Sequence, residues 1–162
     1  MTSEAEIFTP PLWARKSHTI TTPRLTLRSA IPDDASAFTR LFREPKNNPF
    51  GGVVGNERTE EEQRANLAKQ AASTELGLNA WLVVILKVDG KELPEGAEVL
   101  RVQDGLLIGS TGYNAFKMGK GIEPHPGKEV LLTDIGALID FRFQRRGIWR
   151  ISPLLELLGN FC

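Results

Sequence analysis

Between residues 19 and 28, Leu25 and Leu27 alternate with Arg24, Thr26 and Arg28. That is the period-2 pattern of a strand with one buried face. Pro32, Asp33 and Asp34 come next; proline suits the first helical turn, and carboxylates there complement the positive end of the helix dipole. Ala35, Phe38, Leu41 and Phe42 then recur at helical spacing, so the pattern predicts a helix with one apolar face, ended by Pro45. Residues 46–56 are dense in Asn, Gly and Pro and read as loop. Thr59 with Glu62 three residues on makes a capping box, and the helix it opens runs to about Glu75. The apolar face of this helix is thin, Leu67, Ala68, Ala71 and Ala72, which predicts a surface position. Glu60 and Arg64 are spaced for an i,i+4 pair.

Residues 80–88 are almost continuously Trp, Leu, Val and Ile, the mark of a central strand covered on both faces. Asp89-Gly90 closes it. Residues 91–103 are acidic and loop-like, with 99–102 extending a hairpin whose turn is Asp104-Gly105. A third strand is expected over 106–116, a loop over 119–128, and a fourth strand over 130–141, interrupted at Gly136. A basic turn and a short helix end the chain. The expected fold class is therefore α+β, with a mostly antiparallel sheet of about four strands and two helices after the first. Residues 1–18 read as an N-terminal extension and 19–162 as one domain, as the length of 162 residues suggests.

Charge narrows the partners. Twenty Lys and Arg balance twenty Asp and Glu, with no basic stripe beyond Arg145-Arg146, so a nucleic-acid partner is not expected. The single cysteine, Cys162, permits no intrachain disulfide and no cysteine metal site, which fits a reducing compartment. No run approaches the ~18 apolar residues of a membrane span, and nothing near the start resembles a signal sequence. A cytoplasmic protein is expected, with the nucleus as the other possibility.

Four stretches carry a family resemblance. Residues 22–28 (Thr-Pro-Arg-Leu-Thr-Leu-Arg) with Asp33-Asp34-Ala35, residues 80–84 (Ala-Trp-Leu-Val-Val), residues 107–112 (Leu-Ile-Gly-Ser-Thr-Gly), and residues 134–140 (Asp-Ile-Gly-Ala-Leu-Ile-Asp) followed by Gln144-Arg145-Arg146-Gly147-Ile148 stand in a characteristic order. Together they resemble the GNAT superfamily of N-acetyltransferases, in particular the branch acting on ribosomal-protein N-termini. The last pentapeptide resembles that family's acetyl-CoA signature, Gln/Arg-x-x-Gly-x-Gly/Ala. The resemblance implies transfer of an acetyl group from acetyl-CoA to an amine, on a protein N-terminus or a small molecule. It implies that the backbone of Ala137, Leu138 and Ile139 meets the pantetheine arm by strand addition. It places Gln144, Arg145, Arg146, Gly147, Ile148 and Trp149 around the pyrophosphate, where helix-end N–H groups and arginines favour an anion.

Two departures accompany the resemblance. Trp149 stands where the signature has Gly or Ala and crowds the phosphate position, and Pro153 interrupts the following helix. The resemblance stops near Ile148, short of the family's fifth strand, fourth helix and thiolate-protonating Tyr. The expectation is a sheet incomplete at its C-terminal side, from a truncated or altered frame, with an exposed fourth-strand edge open to self-association. The alternative to an enzyme is a non-catalytic remnant that binds CoA weakly. No catalytic residue is assigned: Asp134, Glu129 and Tyr113 read as loop or strand-edge residues, His125 and His18 as structural, and Trp13 and Trp81 as packing.

Overall fold

The chain's first two strands form a tight hairpin. In the computed structural model, which describes residues 14–48, 58–88, 92–113, 117–120 and 126–147, β1 (Thr19–Thr21) pairs antiparallel with β2 (Leu25–Ser29), Ile20 facing Leu27. The expected single strand over 19–28 is broken at Thr22, whose hydroxyl accepts the Leu25 N–H at 2.9 Å while its own N–H reaches the Leu25 carbonyl at 2.8 Å. A Thr side chain that bonds the backbone ahead of it is a local competitor to the sheet ladder.

A turn of 3-10 helix, Pro32–Asp34, leads into α1 (Ala35–Arg43), whose Phe38 and Leu41 are buried as the pattern predicts. Both aspartates stand in the first turn as expected, and each also meets an arginine. Asp34, 1% exposed, accepts both terminal nitrogens of Arg28 at 2.7 and 2.8 Å and the Ile31 N–H at 2.8 Å, while Asp33 faces Arg64 at 3.3 Å. A buried carboxylate needs a partner more than a helix end needs a charge.

The predicted capping box opens α2 (Glu60–Glu75): Thr59 Oγ1 accepts the Glu62 N–H, and Glu62 Oε2 accepts the Thr59 N–H at 2.7 Å. Glu60 meets Arg64 at 3.4 Å. The buried face of α2 differs from the expected one. Ala68, Ala71 and Ala72 are exposed, and the inward residues are Gln63, Leu67 and Thr74, with Gln70 half-buried between them. The helix packs on α1 and the sheet through this more polar stripe.

β3 (Ala80–Leu86) and β5 (Gly105–Tyr113) form the centre, antiparallel to each other, with β2 beyond β3. Leu82 to Ile85 and every residue of β5 are buried, as a strand covered on both faces requires. On the other side of β5, β4 (Arg101–Val102) pairs residues 105–106 and β8 (Ile135–Ile139) pairs residues 109–113.

The expected fourth strand is two strands. β6 (Lys117–Lys120) and β7 (Glu129–Leu132) form a separate antiparallel ribbon, and the chain enters β8 only after Thr133 and Asp134. Gly136 does not interrupt: it sits inside β8, and a Cβ there would stand 3.0 Å from Trp81 Cη2, so its absent side chain makes room for the indole. Gly119 and Lys120, expected in a loop, are in β6, and residues 114–116 and 121–125 lie outside the described residues. The fold is α+β, with a mostly antiparallel sheet and two helices, which lie between the second and third strands because the first pattern is a hairpin. No helix among the described residues is long and apolar enough to cross a membrane.

Candidate functional site

The phase of the β5–β8 ladder decides which backbone groups face outward. The Asp140 N–H donates to the Ile108 carbonyl at 2.8 Å, beside the Gly109–Ile139 pair. In an antiparallel ladder bonding alternates, so Gly136 and Leu138 direct their N–H and C=O toward β5, and Ile135, Ala137 and Ile139 direct theirs away. Gly109 makes this close approach possible, because a Cβ there would collide with the Leu138 carbonyl. Of the three backbone positions that the sequence nominates, Ala137 and Ile139 face the outer edge and Leu138 faces β5. Among the described residues no strand pairs that outer edge.

Asp140 ends β8 and anchors the turn after it. Its carboxylate, 0% exposed, accepts Asn47 Nδ2 at 2.9 Å, the Arg142 N–H at 3.1 Å, and Arg142 Nε and Nη2 at 2.8 and 3.1 Å. Arg142 Nη1 donates to the Gly96 carbonyl. This charge is fully compensated, so Asp140 has no free oxygen to act as a base. A 3-10 turn, Phe141–Phe143, then delivers Gln144, whose Nε2 donates to the outward Ile139 carbonyl at 2.8 Å. Arg145 adopts φ +58° and Gly147 φ +60°, and Arg24 Nη2 holds the Gly147 carbonyl at 2.8 Å. Arg145 and Arg146 are exposed, and neither forms an ion pair among the described residues. Ile148 and Trp149 lie outside the described residues.

Two concavities flank this arrangement. A groove of about 560 Å³ beside α1 is lined by Thr39, Arg40, Arg43, Glu44, Glu60 and Arg142, charges of both signs. Two of its arginines are committed, Arg43 to the Arg58 carbonyl and Arg142 to Asp140. A smaller cavity of about 220 Å³ lies between α1, α2 and the sheet, walled by Phe38, Phe42, Trp81, Ser110, Gln63 and Gln70, with Asn66 and the exposed Arg58 completing it. Ser110, on its wall, belongs to the β5 stretch that pairs β8, opposite Leu138. Sequence reading passed over it, although the signal was present: Gln63, Leu67, Gln70 and Thr74 succeed one another at helical spacings of four, three and four.

Other titratable candidates gather no chemistry. Burial pushes the Tyr113 phenol up, with the Arg15 charge opposing, and burial with help from Arg15 holds His18 below its usual value. The hydrogen bond from Arg28 holds Asp104 below the ordinary carboxylate range, with burial opposing. Asp134 and Glu129 are exposed, and Trp81 packs beside Gly136. His125 and Trp13 lie outside the described residues. Among the described residues no group of His, Cys, Asp and Glu gathers to hold a metal ion.

No family model matches the chain. No curated protein matches it either. Among solved structures it is similar to a "Putative GnaT-family acetyltransferase from Bordetella pertussis", at 14% identity over 88% of this chain and 70% of that chain, with a TM-score of 0.42. That likeness concerns the fold alone.

Proposed function

We propose that this chain is an acetyl-CoA-dependent N-acetyltransferase of the GNAT type, acting on an amine of a protein N-terminus or a small molecule. One observation carries the reading: a strand edge that is unpaired among the described residues, with outward Ala137 backbone groups, leads through the Phe141–Phe143 turn to two left-handed residues and two exposed arginines. An amide-bearing arm can add to such an edge as an extra strand. A pyrophosphate can meet Arg145 and Arg146 where Gly147 leaves the backbone bare, since among the described residues nothing stands within 4 Å of a Cβ at that position.

In the reaction the neutral amine nitrogen attacks the thioester carbonyl; the C–N bond forms, the C–S bond breaks, and the proton lost by nitrogen balances the one taken up by the CoA thiolate. The chain's part is positioning, because direct transfer between two held substrates gains most from orientation. Calorimetric titration with CoA, then mass spectrometry of an amine panel incubated with acetyl-CoA, tests the reading. CoA binding that weakens at least about tenfold in Arg145→Glu/Arg146→Glu, with acetylated product from the parent chain, is expected. A folded parent chain that neither binds CoA nor forms product overturns it.

A further inference from the structure

We infer that the cavity beneath α2 is a binding site for a small neutral molecule that carries a carboxamide on a flat apolar body. Its lining departs from what a helix packed on a sheet ordinarily offers. An amphipathic helix turns its apolar stripe inward, yet α2 turns Gln63, Gln70 and Thr74 inward around Leu67 and leaves its four alanines in solvent. Gln63 is 3% exposed, and among the described residues its Nε2 has no hydrogen-bond partner; Gln70 Oε1 is likewise shielded and without a partner among them. Both line the same cavity. A buried polar atom left unmet costs about 1–3 kcal/mol, and native proteins seldom leave two together.

The two orphaned atoms are a donor and an acceptor, and that pairing selects the ligand. A carboxamide supplies a carbonyl for Gln63 Nε2 and an N–H for Gln70 Oε1. A carboxylate offers Gln70 no hydrogen, and an ammonium offers Gln63 no lone pair. Either charge would also enter a space whose only cation among the described residues, Arg58, is exposed to solvent. Three aromatic side chains make up much of the remaining wall, Phe38 and Phe42, with ring centroids 4.9 Å apart, and Trp81, beside the polar Asn66 and Ser110. Such walls favour a ring. At about 220 Å³ the cavity is smaller than the ~300–1,000 Å³ of drug-sized sites, so it takes a single-ring amide or the amide end of something longer.

The inference goes beyond acetyl transfer and stands apart from it, because occupancy is read with no acetyl-CoA present. Benzamide is the probe, with benzoate, benzylamine and toluene as comparators of equal shape, each titrated into the full chain while side-chain amide resonances are monitored by NMR. Benzamide is expected to bind in the millimolar range, at least about tenfold tighter than each comparator, and to shift the Gln63 and Gln70 amide signals. Gln63→Leu and Gln70→Leu should each abolish that preference and raise Tm, since each removes an unmet buried group. Equal binding of all four compounds, or binding of none, overturns the inference: the two amides are then met by water only. The comparator series needs only the parent chain, so a variant that fails to fold leaves the outcome decided.

Discussion

Asn47 donates through Nδ2 to Asp140 Oδ2 at 2.9 Å across 93 residues of chain, joining the turn after α1 to the end of β8. The same nitrogen reaches the Leu41 carbonyl at 2.9 Å, and Asn47 Oδ1 accepts the Phe141 N–H at 2.7 Å. Asn47 is 8% exposed and Asp140 fully buried, so neither can exchange its partner for bulk water. Asn47→Leu should cost about 3 kcal/mol, because it strands the half-buried Phe141 N–H and removes a donor from a buried carboxylate. Asn47→Asp should cost more, by adding a second carboxylate beside the first. Urea unfolding would measure both; a loss under about 0.5 kcal/mol for Asn47→Leu would show that the bonds are not formed.

Gly109→Ala should detach β8 from β5. The new methyl meets the Leu138 carbonyl and the Ile139 side chain, and backbone cannot yield as a flexible side-chain end can. Hydrogen exchange should report loss of protection for the Gly136 and Leu138 amides while β2 and β3 stay protected. Unchanged protection at Leu138 would contradict the register.

Arg145 holds a left-handed backbone conformation that costs about 1–2 kcal/mol for a residue with a Cβ. Arg145→Gly should therefore stabilise the chain, by about 0.5–1 kcal/mol after the entropy of glycine is counted, and weaken CoA binding. Stability gained with affinity lost would tie the strained residue to ligand binding. An Arg145→Gly variant that binds CoA as well as the parent would remove Arg145 from the site.

His18 sets a pH dependence. Burial, then the nearby Arg15, lowers its folded pKa below the unfolded 6.5, so the unfolded chain takes up a proton first as pH falls. Stability is fully present above pH 6.5 and declines as pH drops from there toward the folded value. His18→Gln should flatten that decline. Urea titrations of both chains at pH 7 and pH 5 would check it, and parallel declines in parent and variant would refute the assignment.

Trp149→Gly should strengthen CoA binding. Trp149 lies outside the described residues; by the resemblance, its position needs a Gly or Ala to leave volume for a phosphate that an indole would take up. Calorimetric titration of parent and variant, with Gly147→Glu as the weakened control, decides it. Equal affinity in parent and glycine variant would mean that the indole does not compete for the site.

The features legible along the chain were local. The Thr59–Glu62 capping box and the Glu60–Arg64 pair join residues three and four apart, and their partners are named by spacing alone. The burial of residues 82–85 could be read from unbroken hydrophobicity, because no other environment stabilises such a run. The mostly antiparallel α+β class came from the same patterns, and so did the basic turn at residues 144–147.

Tertiary structure decided everything whose partner lies far along the chain. Asp34 serves the helix start through the Ile31 N–H, as its place in the first turn suggests, but that Arg28 also folds over it is a tertiary fact. Asp140 could have been an exposed strand-end carboxylate, but Asn47, Arg142 and the carbonyl of Gly96 assemble around it from separate segments. The inward stripe of α2 was misjudged because hydrophobicity assigns alanine to the core and glutamine to water, whereas the helix orients by how it packs on α1 and β3. Which backbone groups of β8 face outward depends on its register with β5, and register is a relationship between strands that neither strand's sequence contains.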